Sequence, residues 1–354
     1  MSAFSFTNLR YLYSATKLED IPSDRPTVIF SDFHIGDGSK KDDFRPNADL
    51  TMEVLEEYYR RGYRLILNGD IEELQKFNGE KIRKNWESVF ELFRRFHAEG
   101  RLVRLIGNHD LNLLFQRDLD IPVYESLRYQ AGIDQSTGKP NEVFIFHGHQ
   151  ASRWYALFND QLGMALKYIL KPLPFKNYSV SHNNRRKKKL EERVYRFSSR
   201  NQIVSIIGHT HRPLFESLSK ADSVKYNIER LCRQYSTADS EGQQRIYEEI
   251  QDLKRHVGQL SEERKRDEGS IYHEDYVVPC MFNSGCVLGK RGITCIEMTH
   301  EDISLAYWFD KQRSKRYFRY DGYETDHLAG TDYYRTVIKN ERWDYIFSRI
   351  RLLS

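Results

Sequence analysis

Between Pro26 and Asp110, short apolar runs rich in β-branched residues alternate with longer amphipathic segments, and each short run ends in polar residues. PTVIFSD (Pro26 to Asp32), YRLILNGD and LVRLIGNHD have the length and composition of strands, whereas ADLTMEVLEEYYRRG and NWESVFELFRRFHAEG carry apolar residues at helical spacing. Strands that are apolar on both faces belong to a sheet covered on both sides, so the alternation predicts an α/β fold. VYESLRYQ and EVFIFHGHQ, separated by the turn-rich GIDQSTGKPN, predict a hairpin. A further strand, IVSIIG, precedes GHTHR, and VVPCMFNSGC, GITCIEM and ISLAYWF predict closing strands.

The 354 residues are enough for one large core with insertions. No stretch approaches the roughly 20 consecutive apolar residues of a membrane helix, and MSAFSFTNLRYLYSATK lacks the pattern of a secretory signal, so the expected compartment is the cytosol. Cys232, Cys280, Cys286 and Cys295 show no C-x-x-C spacing and read as ordinary thiols. The net charge of +4 implies no nucleic-acid partner by itself, but it is unevenly spread. From Ala151 to Arg200 the alternation breaks and twelve Lys/Arg stand against three Asp/Glu, which predicts a basic helical cap inserted into the sheet fold. Within it RRKKK (Arg185 to Lys189) reads as a solvated helix face. Lys220 to Arg266 predicts a helical hairpin turning near TADSEG, and the tail from about Thr331 predicts an amphipathic helix docked on the core. The expected organisation is a core over 1–150, the cap over 151–200, a core strand with GHTHR over 201–219, the helical hairpin over 220–270, and closing strands with a C-terminal helix over 271–354.

The polar residues at the ends of the buried runs are Asp32 and His34 in SDFHIGDG, Asp70 in NGD, Asn108, His109 and Asp110 in GNHD, His147 in FHGH, and His209 and His211 in GHTHR. In an open α/β sheet the carboxyl ends of the strands face a common crevice, where side chains distant in sequence can converge. Carboxylate, amide oxygen and imidazole suit manganese, iron or zinc. Even seven of these residues as ligands exceed one four-coordinate site and suffice for two ions sharing a carboxylate. Two-metal centres turn a bound water into hydroxide and stabilise attacking and leaving oxygens in phosphate-ester hydrolysis. Asp37, Asp42 and Asp43 read as solvated loop carboxylates. Gly69, Gly107, Gly148 and Gly208 each adjoin a candidate ligand, where a tight turn or close approach needs glycine, although ordinary turn glycines would occupy the same places.

D-x-H, G-D, G-N-H-D, H-G-H and G-H-x-H in this order resemble the calcineurin-like metallophosphoesterase superfamily, with a core spanning roughly Val28 to Phe309. The resemblance implies a four-layer αββα sandwich carrying the two insertions, and a hydrolase of phosphate mono- or diesters whose nucleophile is hydroxide bound at a dinuclear centre. It places Asp32, His34 and His211 on one ion, Asp70 between both, and Asn108, His147 and His209 on the other, with manganese the first choice and iron or zinc as alternatives. His109 corresponds to the family's acid or transition-state-stabilising histidine, and the adjacent Asp110 is a candidate to orient it or raise its pKa. His149 reads equally as a supporting or substrate contact and as a plain loop histidine; Arg212 reads as a contact to substrate phosphate.

Protein serine/threonine phosphatases of the superfamily typically have D-R-G after the bridging aspartate, and GNHE; GDIEEL and GNHD fit that subgroup poorly. SDFHIGDG, NGDIEEL, GHTHRP and the basic insertion are similar to the UDP-2,3-diacylglucosamine hydrolase branch, which cleaves a pyrophosphate in lipid A precursor synthesis beneath a basic and apolar cap. Trp154, Leu157, Phe158, Leu162, Met164 and Leu166 supply the apolar part here. That branch commonly carries arginine where this chain has His109, so a phosphomonoesterase or phosphodiesterase is the primary expectation, with the lipid-precursor pyrophosphatase and a metal-dependent nuclease as alternatives. The expected partner is a phosphorylated substrate, with peripheral membrane or lipid contact through the cap; nucleic acid is less favoured. A non-catalytic scaffold on this fold usually loses metal ligands, and here every ligand position is occupied.

Overall fold

A computed structural model of the chain describes residues 3–116, 119–152, 184–217, 239–266, 278–314 and 325–354, with positions 228, 231, 232 and 235. Among the described residues the strands are β1 (Leu18–Asp20), β2 (Thr27–Phe30), β3 (Arg64–Asn68), β4 (Leu102–Leu105), β5 (Val123–Tyr124), β6 (Ser126–Ile133), β7 (Pro140–Phe146), β8 (Val204–Ile207), β9 (Met281–Asn283), β10 (Ile293–Met298), β11 (Asp302–Asp310), β12 (Thr325–His327) and β13 (Tyr333–Arg342). The α-helices are α1 (Ala3–Ala15), α2 (Ala48–Arg60), α3 (Gly79–Asn85), α4 (Glu87–Ala98), α5 (Asn184–Asn201), α6 (Ser240–Arg266) and α7 (Trp343–Leu353).

The strands form two sheets, ordered β12-β13-β11-β10-β2-β3-β4-β5 and β1-β6-β7-β8-β9. Strands β2 to β5 run parallel in the first, and β7 to β9 run parallel in the second. Strand β2 shows why its sequence had to be apolar after Thr27, for all four of its residues are buried. Val28 and Phe30 pack with Val54 and Tyr58 of α2 and Phe93 and Phe96 of α4, while Ile29 joins Ile145 and Ile206 in the core between the sheets. On the far side of the second sheet, Tyr13 of α1 and Phe197 of α5 meet Phe144 of β7 at ring separations of 5.5 and 6.3 Å. Helices, first sheet, second sheet and helices thus form the four-layer αββα sandwich that the sequence predicts.

Several elements differ from expectation. Tyr333–Arg342 is a strand rather than the start of a helix, pairing with β11 over nearly its whole length, and only Trp343–Leu353 is helical. The partner strand decides this, because β13 offers a ladder of hydrogen bonds to an otherwise open edge of β11. VYESLRYQ is two strands: β5 ends the first sheet beside β4, and β6 crosses to form the hairpin with β7. NWESVFELF breaks at Trp86, whose indole N–H donates to Asp42 at 2.9 Å. The N-terminal segment is a helix whose Leu9 and Leu12 are buried in the apolar cluster around the second sheet. Helix α6 supplies one arm of the expected helical hairpin; most of the other arm lies outside the described residues, as do 153–183 with the cap's apolar residues Trp154 to Leu166. No helix of the described residues is long and apolar enough to cross a membrane.

Candidate metal centre

The candidate ligands leave five parallel strands of both sheets at their carboxyl ends: Asp32 and His34 after β2, Asp70 after β3, Asn108 after β4, His147 after β7, and His209 and His211 after β8. Asp32, His34, Asp70, His209 and His211 all have φ between 48° and 65°. The left-handed region costs a non-glycine residue about 1–2 kcal/mol and persists where surrounding contacts over-determine it, typically at functional sites.

Two groups of donors result. Asp32, His34 and His211 form one, Asp70, His147 and His209 the other, with donor atoms within 4.8 Å of one another in each. In the first, His34 Nε2 lies 3.1 Å from His211 Nε2, which lies 3.1 Å from Asp32 Oδ1. Asp70 joins the groups, its Oδ2 lying 3.7 Å from His34 Nε2 and 3.1 Å from His147 Nε2. The remaining oxygens are tied down: Asp70 Oδ1 accepts the His109 backbone N–H at 2.8 Å, and Asp32 Oδ2 accepts from Ser31 Oγ at 2.5 Å and from the His209 N–H at 2.9 Å. His147 Nδ1 donates to the Asn68 carbonyl at 2.7 Å, which fixes the tautomer with a lone pair on Nε2.

Buried donor atoms test whether divalent cations fit. Asn108 Oδ1, His147 Nε2 and His209 Nε2 are buried and take part in no hydrogen bond. A buried acceptor without a partner costs about 1–3 kcal/mol, so three around one carboxylate suit a cation. The oxygen and imidazole donor set suits manganese, iron or zinc. The electrostatics are those of a cation site held by protons. Burial opposes ionisation of Asp32, yet the charges of His211 and His147 hold it at about 2; burial likewise opposes the His147 cation, and Asp70 and Asp32 lift it to about 9. Burial and then the charge of His147 push His209 down to about 3. Protons and metal compete for such donors.

Glu73 is the residue that sequence reasoning missed. Its buried carboxylate spans two imidazoles, with Oε2 3.1 Å from His34 Nδ1 and Oε1 2.8 Å from His109 Nδ1. The signal was an acid three residues after Asp70, but GDIEEL offers two and Glu72 turns the other way, to Arg104 at 2.9 Å and Arg83 at 3.3 Å. Burial works against the His109 cation, but Asp70 and the Glu73 hydrogen bond raise its pKa above the ordinary value. The charge of Asp110 adds to that rise, while its carboxylate accepts from the Gly107 N–H at 2.7 Å and the Ile71 N–H at 2.9 Å and so braces the loop, leaving Glu73 to orient the His109 ring. Asp42 differs from the expected solvated loop carboxylate: it is buried, accepting from Gly36, Gly38 and Phe44 N–H groups at 2.8–3.0 Å and shaping the SDFHIGDG turn.

Gly107 has an ordinary φ, yet a Cβ there would collide with the Asp70 carboxylate and backbone nitrogen, so close approach is its reason for being glycine. His149 is buried with its ring 5.5 Å from that of His147, and burial followed by the charges of His147 and His209 holds it well below the usual imidazole range. Thr210, between the two histidines, is buried and donates to Glu191 Oε1 of α5 at 2.6 Å. Arg212 is half-buried beside the same helix, its charge acting on Lys187 and Glu191. RRKKK is therefore not a uniformly solvated face: Arg186 and Lys189 are exposed, whereas Lys187 keeps only 8% of its surface accessible.

A model of the calcineurin-like phosphoesterase family matches residues 25–213, more than half of the chain. No curated protein matches it.

Proposed function

The chain belongs to the calcineurin-like phosphoesterase family, and on that premise we propose that it hydrolyses phosphate mono- or diesters at a dinuclear centre. Asp32, His34 and His211 would hold one divalent ion, Asn108, His147 and His209 the other, and Asp70 both; manganese is the first choice. The observation that carries this reading is the position of Asp70 Oδ2 between an imidazole from each sheet, 3.7 Å from one and 3.1 Å from the other. When bound, the two ions supply Lewis-acid charge and lower the pKa of the attacking water.

The chain's own groups supply the rest. His109 hands a proton to the leaving oxygen, because Glu73 holds its Nδ1 and leaves Nε2 for the substrate. The same residue's backbone N–H anchors Asp70 Oδ1, so the acid and the shared carboxylate are set by one peptide unit. Glu73 also holds His34 Nδ1, which leaves His34 Nε2 for the ion. A lipid-precursor pyrophosphatase is the second expectation; its supporting cap residues lie outside the described ones, and His109 speaks against it.

The test is metal analysis of the purified protein together with a manganese-supplemented screen over aryl phosphate monoesters and diesters, nucleotides, UDP-sugar lipids and single-stranded DNA. Hydrolysis of the aryl esters that chelation abolishes is expected. A protein that binds no divalent metal and leaves every ester intact refutes the proposal, and DNA cleavage falling steeply with salt would move it to a nuclease.

A further inference from the structure

His209 and His211 belong to different donor groups, and both stand at unusual backbone angles, φ 65° and φ 57°, which Thr210 between them does not share. The Thr210 N–H donates to the Gly208 carbonyl at 2.7 Å, which closes a three-residue turn with His209 at its centre. A turn of this kind with positive φ at the centre is the rare and strained form. It persists only where its surroundings fix it. The His209 N–H bond to Asp32 Oδ2 at 2.9 Å supplies part of that fixing from within the ligand set.

Two buried residues outside the ligand set supply the rest. Asn283, at the end of β9, donates through its amide nitrogen to the Gly208 carbonyl at 3.0 Å and to the Thr210 hydroxyl at 2.9 Å, so it joins both ends of the turn. Its Oδ1 accepts the Gly285 N–H at 2.8 Å, and its backbone exchanges two hydrogen bonds with Leu214 at 3.0 and 3.1 Å, which leaves the amide no freedom to rotate. An amide nitrogen only donates, so Thr210 Oγ1 accepts there and its own hydrogen goes to Glu191 Oε1 at 2.6 Å. A chain of fixed direction thus runs from β9 through the loop to α5. Helix α5 is itself tied to β8 by Ser198 Oγ, which donates to Ser205 Oγ at 2.7 Å.

We propose that Asn283, Thr210 and Glu191 are positioning residues, a clamp that holds the Gly208–His209–Thr210 turn and so delivers His209 and His211 to separate ions. The proposal rests on the dinuclear reading above. A turn released from the clamp relaxes toward commoner backbone angles, which draws His209 away from Asp70 and His147. His211 is the next residue but one, so the same relaxation displaces it from His34 and Asp32. Partners that orient metal ligands are worth about 10–100-fold in metal affinity, and here one clamp serves a ligand of each ion. The threonine of GHTHR therefore has work of its own between the two histidines.

The experiment uses the full chain and compares Thr210→Val, which keeps the branched shape without the hydroxyl, with Thr210→Ser, which keeps the hydroxyl. Manganese is titrated by calorimetry into metal-free protein, the melting temperature is measured with and without manganese, and electron paramagnetic resonance reports whether the two ions are coupled. Thr210→Val should weaken manganese binding by about 10–100-fold, shrink the manganese-induced rise in melting temperature and diminish the coupled-pair signal, with Thr210→Ser near the parent. Glu191→Met carries the same expectation and tests the clamp if Thr210→Val fails to fold. Glu192→Met, one residue along the helix where the side chain pairs with Arg196, should bind manganese like the parent. A residue that only supports the fold would lower the melting temperature equally with and without manganese and leave the affinity unchanged. That result overturns the proposal, as does equal loss of affinity in Glu191→Met and Glu192→Met. Clamp-dependent manganese binding in a protein that hydrolyses no ester would keep the clamp and refute the enzyme, whereas robust hydrolysis with manganese affinity indifferent to Thr210 and Glu191 would do the reverse.

Discussion

The described residues bury two clusters of polar groups, and they are built on opposite rules. Toward helix α2, Glu297 of β10 takes two hydrogen bonds from Arg335 of β13, at 2.9 and 2.6 Å, and one from the Tyr58 hydroxyl at 2.5 Å; that hydroxyl accepts the Trp308 indole N–H at 2.9 Å. Charge meets opposite charge, and every donor has an acceptor. At the strand ends, two imidazole nitrogens approach to 3.1 Å, and three buried donor atoms take part in no hydrogen bond. The first cluster is complete within the chain and joins strands. The second leaves donor atoms that cations would complete on the function proposed above, and five of its residues hold unfavourable backbone angles.

Substitutions can break this contrast, beginning with the largest effect. Asp70→Asn should abolish turnover and strip both ions, because its Oδ2 is shared between the two donor groups; a variant that keeps two ions by elemental analysis contradicts the shared-carboxylate assignment. His109→Ala should lower turnover by about 10²–10⁴-fold while metal content stays near normal. Loss of metal in that variant would turn His109 from a proton donor into a support of the centre. Glu73→Gln should cost less than either, about 10–100-fold, lowering both manganese affinity and turnover, since one carboxylate holds His34 and His109 together. An effect on turnover alone would show that its hold on His34 does not matter.

The sequence spoke clearly where residue type is dictated by chemistry, and faintly where a distant partner decides. Strand ends that finish in aspartate, asparagine or histidine can be read directly, because a cation accepts few side chains and the parallel strands of each sheet deliver theirs to the same end. Glu73 escaped because Glu72 has the same side chain one residue earlier, and only the fold turns one to the histidines and the other to Arg104. Lys187 escaped because a run of five cations carries no mark of which one faces inward. Strand β13 escaped for another reason: its one fully buried residue is Thr336, and it is fixed by charge pairs such as Arg335 with Glu297, so it shows no alternation of apolar residues. Helix α1 did carry Leu9 and Leu12 at helical spacing, but a single helix at a chain end says little until a sheet covers it.

The smallest expected effect on activity belongs to the complete cluster and is the sharpest test of the contrast. Arg335→Met keeps the aliphatic bulk but leaves the nearly buried Glu297 carboxylate with only the Tyr58 hydroxyl, and removing one partner of a buried pair costs about 3 kcal/mol or more. The loss should fall on stability alone, as a lower urea midpoint with unchanged slope. Turnover per folded molecule and metal content should match the parent, because Arg335 reaches Glu297 and Asp326 and no residue of the centre. Replacing Glu297 as well, by Gln, should recover part of the stability, since the uncompensated charge and not the missing contact carries most of the cost. If Arg335→Met instead lowered turnover at full folding, the two clusters would be coupled through β10 and β2, and the division between a self-sufficient network and a cation-dependent one would have to be abandoned.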